Sequence, residues 1–308
     1  MIRSFAELED QVKSGSDGKK VPRMGIIYPR GGKCLEAATA AASEKTVKVS
    51  LISPREAIED CIVREGCDLC GMEIVNVDSL EEAVRTGVKM ARAGELDFLL
   101  KGSVGTRELI DVLLLSDTGF VSGGGILSHV GIMETERYHK LIFITDAAVN
   151  NEPDASTKIA ITRNAATVAR KLGVESPRAA LLAAVEAIYP AVPVTMEEAA
   201  IAKMSDRGQI KDVIIDGPLS FDVAINAEVA RSKGITNSAV TGETDIFVGP
   251  SMETANGLYK AMVIYVRARA AGLIWGGIAP LVTTFAADPI ENVSNSIRLG
   301  IYLSQTRD

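Results

Sequence analysis

The stretch Asp97-Phe-Leu-Leu-Lys-Gly-Ser-Val-Gly-Thr106 carries the pattern on which the fold turns. Asp97–Leu100 has the length and apolar character of a buried strand, and it runs into Lys101-Gly-Ser-Val-Gly-Thr106, a loop punctuated by two glycines that leads to a helix. Three such units precede it. Met24–Tyr28, Val47–Ile52 and Glu73–Val77 are short apolar runs, each followed by a helical pattern. The first of these helices follows Pro29-Arg-Gly-Gly-Lys33, the second opens at Ser53-Pro54 with proline in its first turn, and the third, Leu80 to Ala93, is capped by Asp78 or Ser79 and closed by Gly94. A short amphipathic helix over residues 5–14, ended by Gly15, comes before them all. Alternation of strand and helix predicts a parallel, doubly wound sheet. In such sheets, ligands bind where strands end at their carboxyl side.

Beyond Thr106 the pattern changes at residues 116–125, Ser-Asp-Thr-Gly-Phe-Val-Ser-Gly-Gly-Gly, the expected crossover to a second domain. Ile126–Met133 and Lys140–Thr145 then read as a hairpin. A helix from Pro153, with Ile161, Ala165, Val168 and Leu172 on its core face and Gly173 at its end, leads to a strand over Ala179–Val185 and a helix over Met196–Met204. The strand Val213–Ile215 is expected to stop at the turn Asp216-Gly217-Pro218, with Ser220 capping a helix from Val223 to Lys233. Asp245–Val248 is one more strand, and Ser251 caps a helix running to about Ala271 with Leu258, Met262 and Val266 as its core stripe. Ala279–Thr284 and the helix through Ile301 form a last strand and helix that return to the first domain. The expected division is residues 1–125 plus 276–308, and residues 126–275.

Composition narrows the function. The 308 residues are 47% hydrophobic but only 5% aromatic, with a net charge of −7 and no basic block. That speaks against a nucleic-acid surface. No apolar run approaches the ~18 residues of a membrane span, and the acidic start is unlike a signal peptide, so a cytoplasmic location is the expectation. Four cysteines do not make an extracellular disulfide framework. Cys61, Cys67 and Cys70 are close in sequence, and with Cys34 they give either a zinc or iron–sulfur ligand set or ordinary thiols.

Spacing alone singles out a few side chains for an anionic ligand. Gly102 and Gly105 permit close approach to the backbone, and Lys101 and Thr106 are donors. Lys203, Arg207 and Lys211 lie just before Asp216. Asn256 and Lys260, four apart, share one helix face. Each has a plain structural reading too: a turn whose aspartate satisfies amides, or a solvated pair.

Taken in order, Lys101-Gly102, Leu127-Ser128-His129, Thr145-Asp146-Ala147, Lys203 through Lys211, Asp216-Gly217-Pro218, Ala255 through Lys260 and Ala279-Pro280 resemble the phosphate acetyl/butyryltransferase family, nearer its butyryltransferase branch. The resemblance covers roughly residues 95–300. It implies two α/β domains around a cleft, as in isocitrate and isopropylmalate dehydrogenases. It also implies a homodimer or higher homo-oligomer and a metal-free reaction with no cofactor beyond coenzyme A as co-substrate. The implied reaction moves an acyl group between acyl-CoA and phosphate, with acyl phosphate as the other partner, through a ternary complex. Carried over by position, Lys101, Gly102, Thr106, Arg107, Ser128, His129, Asp146, Arg207, Asp216, Asn256, Lys260 and Thr284 are implied to bind acyl phosphate and coenzyme A. No single residue is assigned as catalytic.

The departures from the family pattern are as specific. A Ser-Arg pair expected after the last strand falls on Phe285-Ala286, an acidic position on Asn292, and an arginine on Asp111. Arg107, one turn earlier, and Thr283 or Thr284 are left to substitute, and neither restores a guanidinium fork beside a serine. Charge-assisted contacts are worth ~1.5–3 kcal/mol each. Two readings follow: a working phosphotransacylase with rearranged contacts, or a diverged member that binds acyl-CoA or acyl phosphate as a sensor or complex subunit, or runs another reaction.

Overall fold

The computed structural model describes residues 1–15, 20–29, 32–65, 69, 71–121 and 123–306. Its backbone divides into two compact units, residues 4–127 with 269–308, and residues 1–3 with 128–268.

The first unit begins with α1 (Phe5–Gly15), β1 (Arg23–Ile27), α2 (Lys33–Ser43), β2 (Lys48–Ser53), α3 (Arg55–Glu65), β3 (Glu73–Asn76), α4 (Leu80–Arg92), β4 (Phe98–Lys101) and α5 (Thr106–Leu113). β1 pairs in parallel with both β2 and β4, and β3 pairs in parallel with β2. Buried positions run without interruption along β1, as expected of a parallel strand covered on both faces. Met24, Ile26, Val49, Leu51, Phe98 and Leu100 point to one face and pack in a single cluster with Leu35 and Ala38 of α2. Each side chain of this kind contributes about 1.5–3 kcal/mol on burial. The other face is covered by α4, whose Gly87 lies against Ile27, Ile52 and Leu99. The start of α4 is fixed by a reciprocal cap: Glu82 N donates to Ser79 Oγ (3.2 Å) and Asp78 N to Glu82 Oε2 (2.7 Å).

The second unit comprises β5 (Ser128–Glu134), β6 (Ile142–Thr145), α6 (Ala155–Lys171), β7 (Arg178–Leu182), α7 (Pro193–Asp206), β8 (Ile214–Leu219), α8 (Phe221–Ile225), α9 (Ala227–Ser232), β9 (Ile246–Val248) and α10 (Met252–Ile264). Its strand order is β5-β6-β9-β7-β8. β5 and β6 form the expected antiparallel hairpin, and the remaining pairs are parallel. The chain then returns to the first unit as β10 (Arg269–Trp275), β11 (Leu281–Val282) and α11 (Ile290–Gln305). β11 pairs in parallel with β4 and antiparallel with β10. Val293, Ile297 and Ile301 of α11 complete the first unit's core.

Four elements differ from the sequence expectation. β8 does not stop at Asp216: a register shift between Ala180 and Leu182 of β7 seats Leu219 against Leu182 and keeps the pair together through Pro218. The helix expected over Val223–Lys233 is broken at Asn226, whose extended backbone ends α8 while its side chain caps α9. The helix capped by Ser251 ends at Ile264, not near Ala271; Arg267 takes a positive φ of 55°, and Val266 is 43% exposed. Ala270 and Ala271, good helix formers, are instead buried in β10, where Ala270 N donates to Asn292 Oδ1 of α11, so tertiary burial outweighs local propensity. The return to the first unit accordingly falls at Arg269 and not at residue 276. Among the described residues no helix is long and apolar enough to cross a membrane.

Candidate functional site

In the first unit the candidate residues gather where β1 and β4 end. Ile27 and Lys101 are register partners, so the loops after them leave side by side. Gly102 N donates to Ile27 O (2.9 Å) and Ser103 N to Tyr28 O (3.1 Å). A Cβ on Gly102 would stand 2.4 Å from Ile27 O, so only glycine lets the loop sit this close. The turn aims Lys101 inward, where Nζ donates to Val104 O at 2.9 Å. Burial pushes this amine below the ordinary lysine value, with the Cys34 sulfur partly opposing the shift. The Cys34 thiol is pushed up to about 12, chiefly by burial, with Lys101 pulling the other way. Sequence reasoning considered Cys34 only as a thiol or metal ligand; its place beside Lys101 comes from the first turn of α2, which starts at the end of β1.

Neighbouring groups complete this edge. Thr106 opens α5 half-buried, and the N-cap, Gly105, makes no side-chain cap. The first amides of that helix are therefore not satisfied by a cap and favour an anion. Lys33 Nζ donates to Asp288 O (2.6 Å), and buried Asp288 accepts from Phe285 N (2.8 Å). The loop carrying Phe285-Ala286 is thus pinned beside α2, with Thr284 half-buried just before it. Asn292 is buried and accepts from Ala270 N at 2.9 Å, a bond that holds β10. Arg107 and Asp111 face each other at 3.7 Å on the outside of α5, with side chains 89% and 66% exposed.

In the second unit, Ser128, His129, Asp146 and Asn256 form one network where β5 begins and β6 ends. Asp146 is 2% exposed. Its oxygens accept from the backbone N–H groups of His129 (3.1 Å), Ala148 (3.0 Å), Val149 (3.0 Å) and Asn150 (3.1 Å), and from Asn150 Nδ2 (2.6 Å). Burial raises its carboxyl above the usual range and these donors pull it back down. Asn256 Nδ2 donates to Ala147 O (2.8 Å), tying α10 to the same turn. Asn164 of α6 donates to the buried Ser128 Oγ at 2.9 Å. His129 is fully buried edge-on against Tyr259, and burial depresses its pKa to about 3, so the ring is neutral. Lys260, one turn past Asn256, is exposed.

Arg207 and Asp216 do not join this network. α7 starts beside the carboxyl end of β7 and runs back, so Arg207, its C-cap, lies at the amino end of β8. Fourteen helical residues separate the two edges by roughly 20 Å. Asp216 sits mid-strand in β8, and its Oδ1 accepts from Gly217 N (2.8 Å). Sequence reasoning missed Asn150 and Asn164, whose only trace was their position shortly after a strand-end aspartate or on a helix. It also missed Glu186, Ser220, Lys233 and Asp222, which converge at the ends of β7 and β8: Ser220 Oγ bonds Glu186, and Lys233 Nζ lies 3.1 Å from Glu186 and 3.3 Å from Asp222. Cys61 is buried, and Cys34 is a partly buried free thiol; Cys67 and Cys70 lie outside the described residues. Among the described residues no cluster of histidine, cysteine and carboxylate has the makings of a metal site.

The class of protein is that of the phosphotransacylases. The crystal structure of a branched-chain phosphotransacylase from Enterococcus faecalis V583 is similar with a TM-score of 0.79 at 27% identity, over 92% of this chain and 99% of that one. The sequence narrows this further. The phosphate butyryltransferase of Clostridium acetobutylicum is 36% identical over 299 residues, 97% of each chain. The phosphate acetyltransferase of Rickettsia typhi is 34% identical over 294 residues, 95% of this chain and 84% of that protein. The family model described as phosphate acetyl/butaryl transferase matches residues 78–299, and the chain belongs to that family.

Proposed function

We propose that the chain is an acyltransferase that moves a short acyl group between coenzyme A and phosphate within a ternary complex. In this reaction the coenzyme A thiolate attacks the acyl carbon of an acyl phosphate, a C–S bond forms, the C–O bond to phosphate breaks, and phosphate leaves with the electron pair. Holding both substrates together supplies most of the advantage through proximity. The groups that matter are then those that stabilise charge on the departing phosphate. One observation carries the reading on this chain: Lys101 stands half-buried on a glycine turn at a strand's carboxyl end, next to the uncapped start of α5. Thr106 and Thr284 are the neighbouring hydroxyls. Asn256 and Lys260 are the second unit's donors for coenzyme A or phosphate, while Ser128, His129 and Asp146 hold the backbone that presents them.

The enzyme works with coenzyme A as co-substrate and no further cofactor, in the cytoplasm, as a homodimer or higher homo-oligomer. The free thiol at Cys34 supports a reducing compartment. Exposed apolar side chains at Ile188, Tyr189 and Met196, and at Ile264, Tyr265 and Val266, support self-association. The test is phosphate-dependent release of coenzyme A from butyryl-CoA and acetyl-CoA, followed with a thiol reagent. Turnover with either thioester is expected. Saturable binding of acyl-CoA without turnover at millimolar phosphate would instead favour the diverged, non-catalytic reading, for which Phe285-Ala286 in place of a Ser-Arg pair is the specific observation.

A further inference from the structure

A cavity of about 720 Å³ lies not at the carboxyl ends of the first unit's strands but at their opposite edge. Its origin lies in the lengths of two strands. β2 has six residues and β3 only four, and β3 pairs from Ser50 onward. Lys48 and Val49 therefore have no β3 residue beside them, and the corner of the sheet is notched. The C-terminal ends of α2 and α4 border the notch through Lys45 and Met90.

Three kinds of group line it. Arg23 and Lys48 are register partners on β1 and β2, so both side chains leave the same face. Arg23 is held there by Asp97, with Nε 3.4 Å from Oδ2. Lys45, at the end of α2, adds a third cation. Val47, Val49, Met72 and Met90 supply apolar wall, and the methionines suit a flat aromatic ring. Glu73 and Glu95 place carboxylates at the rim. Carboxylates accept from vicinal hydroxyls as they do from ribose in dinucleotide folds. Neither a simple anion nor a fatty chain uses all three sets. The volume lies within the range of small-molecule and cofactor pockets.

We propose that this notch binds a nucleoside phosphate, with the base against its apolar wall, the ribose at its rim carboxylates and the phosphates on its cations. The site is separate from the acyl-transfer residues and does not depend on the reaction proposed for them. The test is calorimetric titration of the full chain with ADP, alone and with saturating coenzyme A. Saturable binding at one ADP per chain, unchanged by coenzyme A, is expected. Lys48→Glu, and independently Lys45→Asn, which keeps a residue tolerant of Lys45's positive φ of 57°, should each weaken it at least about tenfold while leaving basal acyl transfer unaltered. Adenosine or inorganic phosphate alone should bind far more weakly. No saturation by about 5 mM ADP, a range typical of non-specific contact, overturns the proposal. So does competitive displacement by coenzyme A, or binding that neither variant changes.

Discussion

At the carboxyl end of β6, Asp146 gives both oxygens to five protein donors and is sealed from solvent. At the carboxyl end of β4, Lys101 has three N–H donors and, among the described residues, uses one of them, on Val104 O. The two residues occupy equivalent places in their sheets, each following a buried strand. Their difference shows that position at a strand end does not by itself define a ligand contact. What matters is how much hydrogen-bonding capacity the fold leaves unused. In the second unit Asp146 is taken up by backbone N–H groups and Asn150, and Ser128 Oγ by Asn164. In the first, Lys101, Thr106 and the start of α5 retain capacity for a phosphate.

Breaking the committed side has the largest expected effect. Asp146→Ala leaves four backbone N–H groups and the Asn150 amide without an acceptor in a buried turn. A loss of about 3–5 kcal/mol is expected, the scale for removing a buried charge from its partners. It is read as a lower denaturation midpoint, with loss of activity following loss of folded protein. Lys101→Met tests the uncommitted side. It should leave the melting temperature within a few degrees, since only one hydrogen bond is lost, yet reduce kcat by about 10²–10³, the scale for one electrostatic donor at a reacting group. If Lys101→Met unfolds the protein, or if Asp146→Ala leaves stability intact and removes only turnover, the comparison is reversed.

Much of the fold was legible because its signals are local. Short β-branched runs, Ser79 and Ser251 as caps, and Gly94 and Gly173 as stops lie where the structure has them. The failures came where a distant partner decided the outcome. Ala270 and Ala271 favour helix alone but are buried in β10, where Asn292 of α11 accepts from Ala270 N. Pro218 stays within β8 only because β7 shifts register to meet it. The same holds for the candidate residues. Lys101-Gly102 was readable, since a glycine after a strand end has few other uses. The five donors around Asp146 left no trace in the sequence. Arg207 sits next to Asp216 in sequence, but the reversal of direction between α7 and β8 puts it at the far edge. Cys34 beside Lys101 depended on two loops meeting and left no trace in spacing.

The second unit also contains a buried carboxylate of the opposite kind to Asp146, and it sharpens the comparison. Glu198 of α7 is 1% exposed, and among the described residues neither of its oxygens accepts a hydrogen bond. Lys158 of α6, itself buried, lies 4.0 Å away but makes its close contact, 2.6 Å, with Glu197. Burial therefore dominates and raises the Glu198 pKa from 4.5 to about 8, with Lys158 opposing and Glu197 reinforcing the shift. The folded state thus keeps a proton that the unfolded chain releases near pH 4.5. Stability from this group is full below that pH, declines as pH rises, and is lost once pH passes about 8. At 1.36 kcal/mol per pK unit, over the roughly three units between pH 5 and 8, the decline from pH 5 to pH 9 should be on the order of 4 kcal/mol. Glu198→Gln removes the titrating proton while keeping the shape. Its denaturation midpoint should equal or exceed the parent's at pH 9 and vary less between pH 5 and 9. A parallel shift at all pH values would mean that Glu198 is ionised and held by Lys158, which would place it with Asp146 among the committed carboxylates.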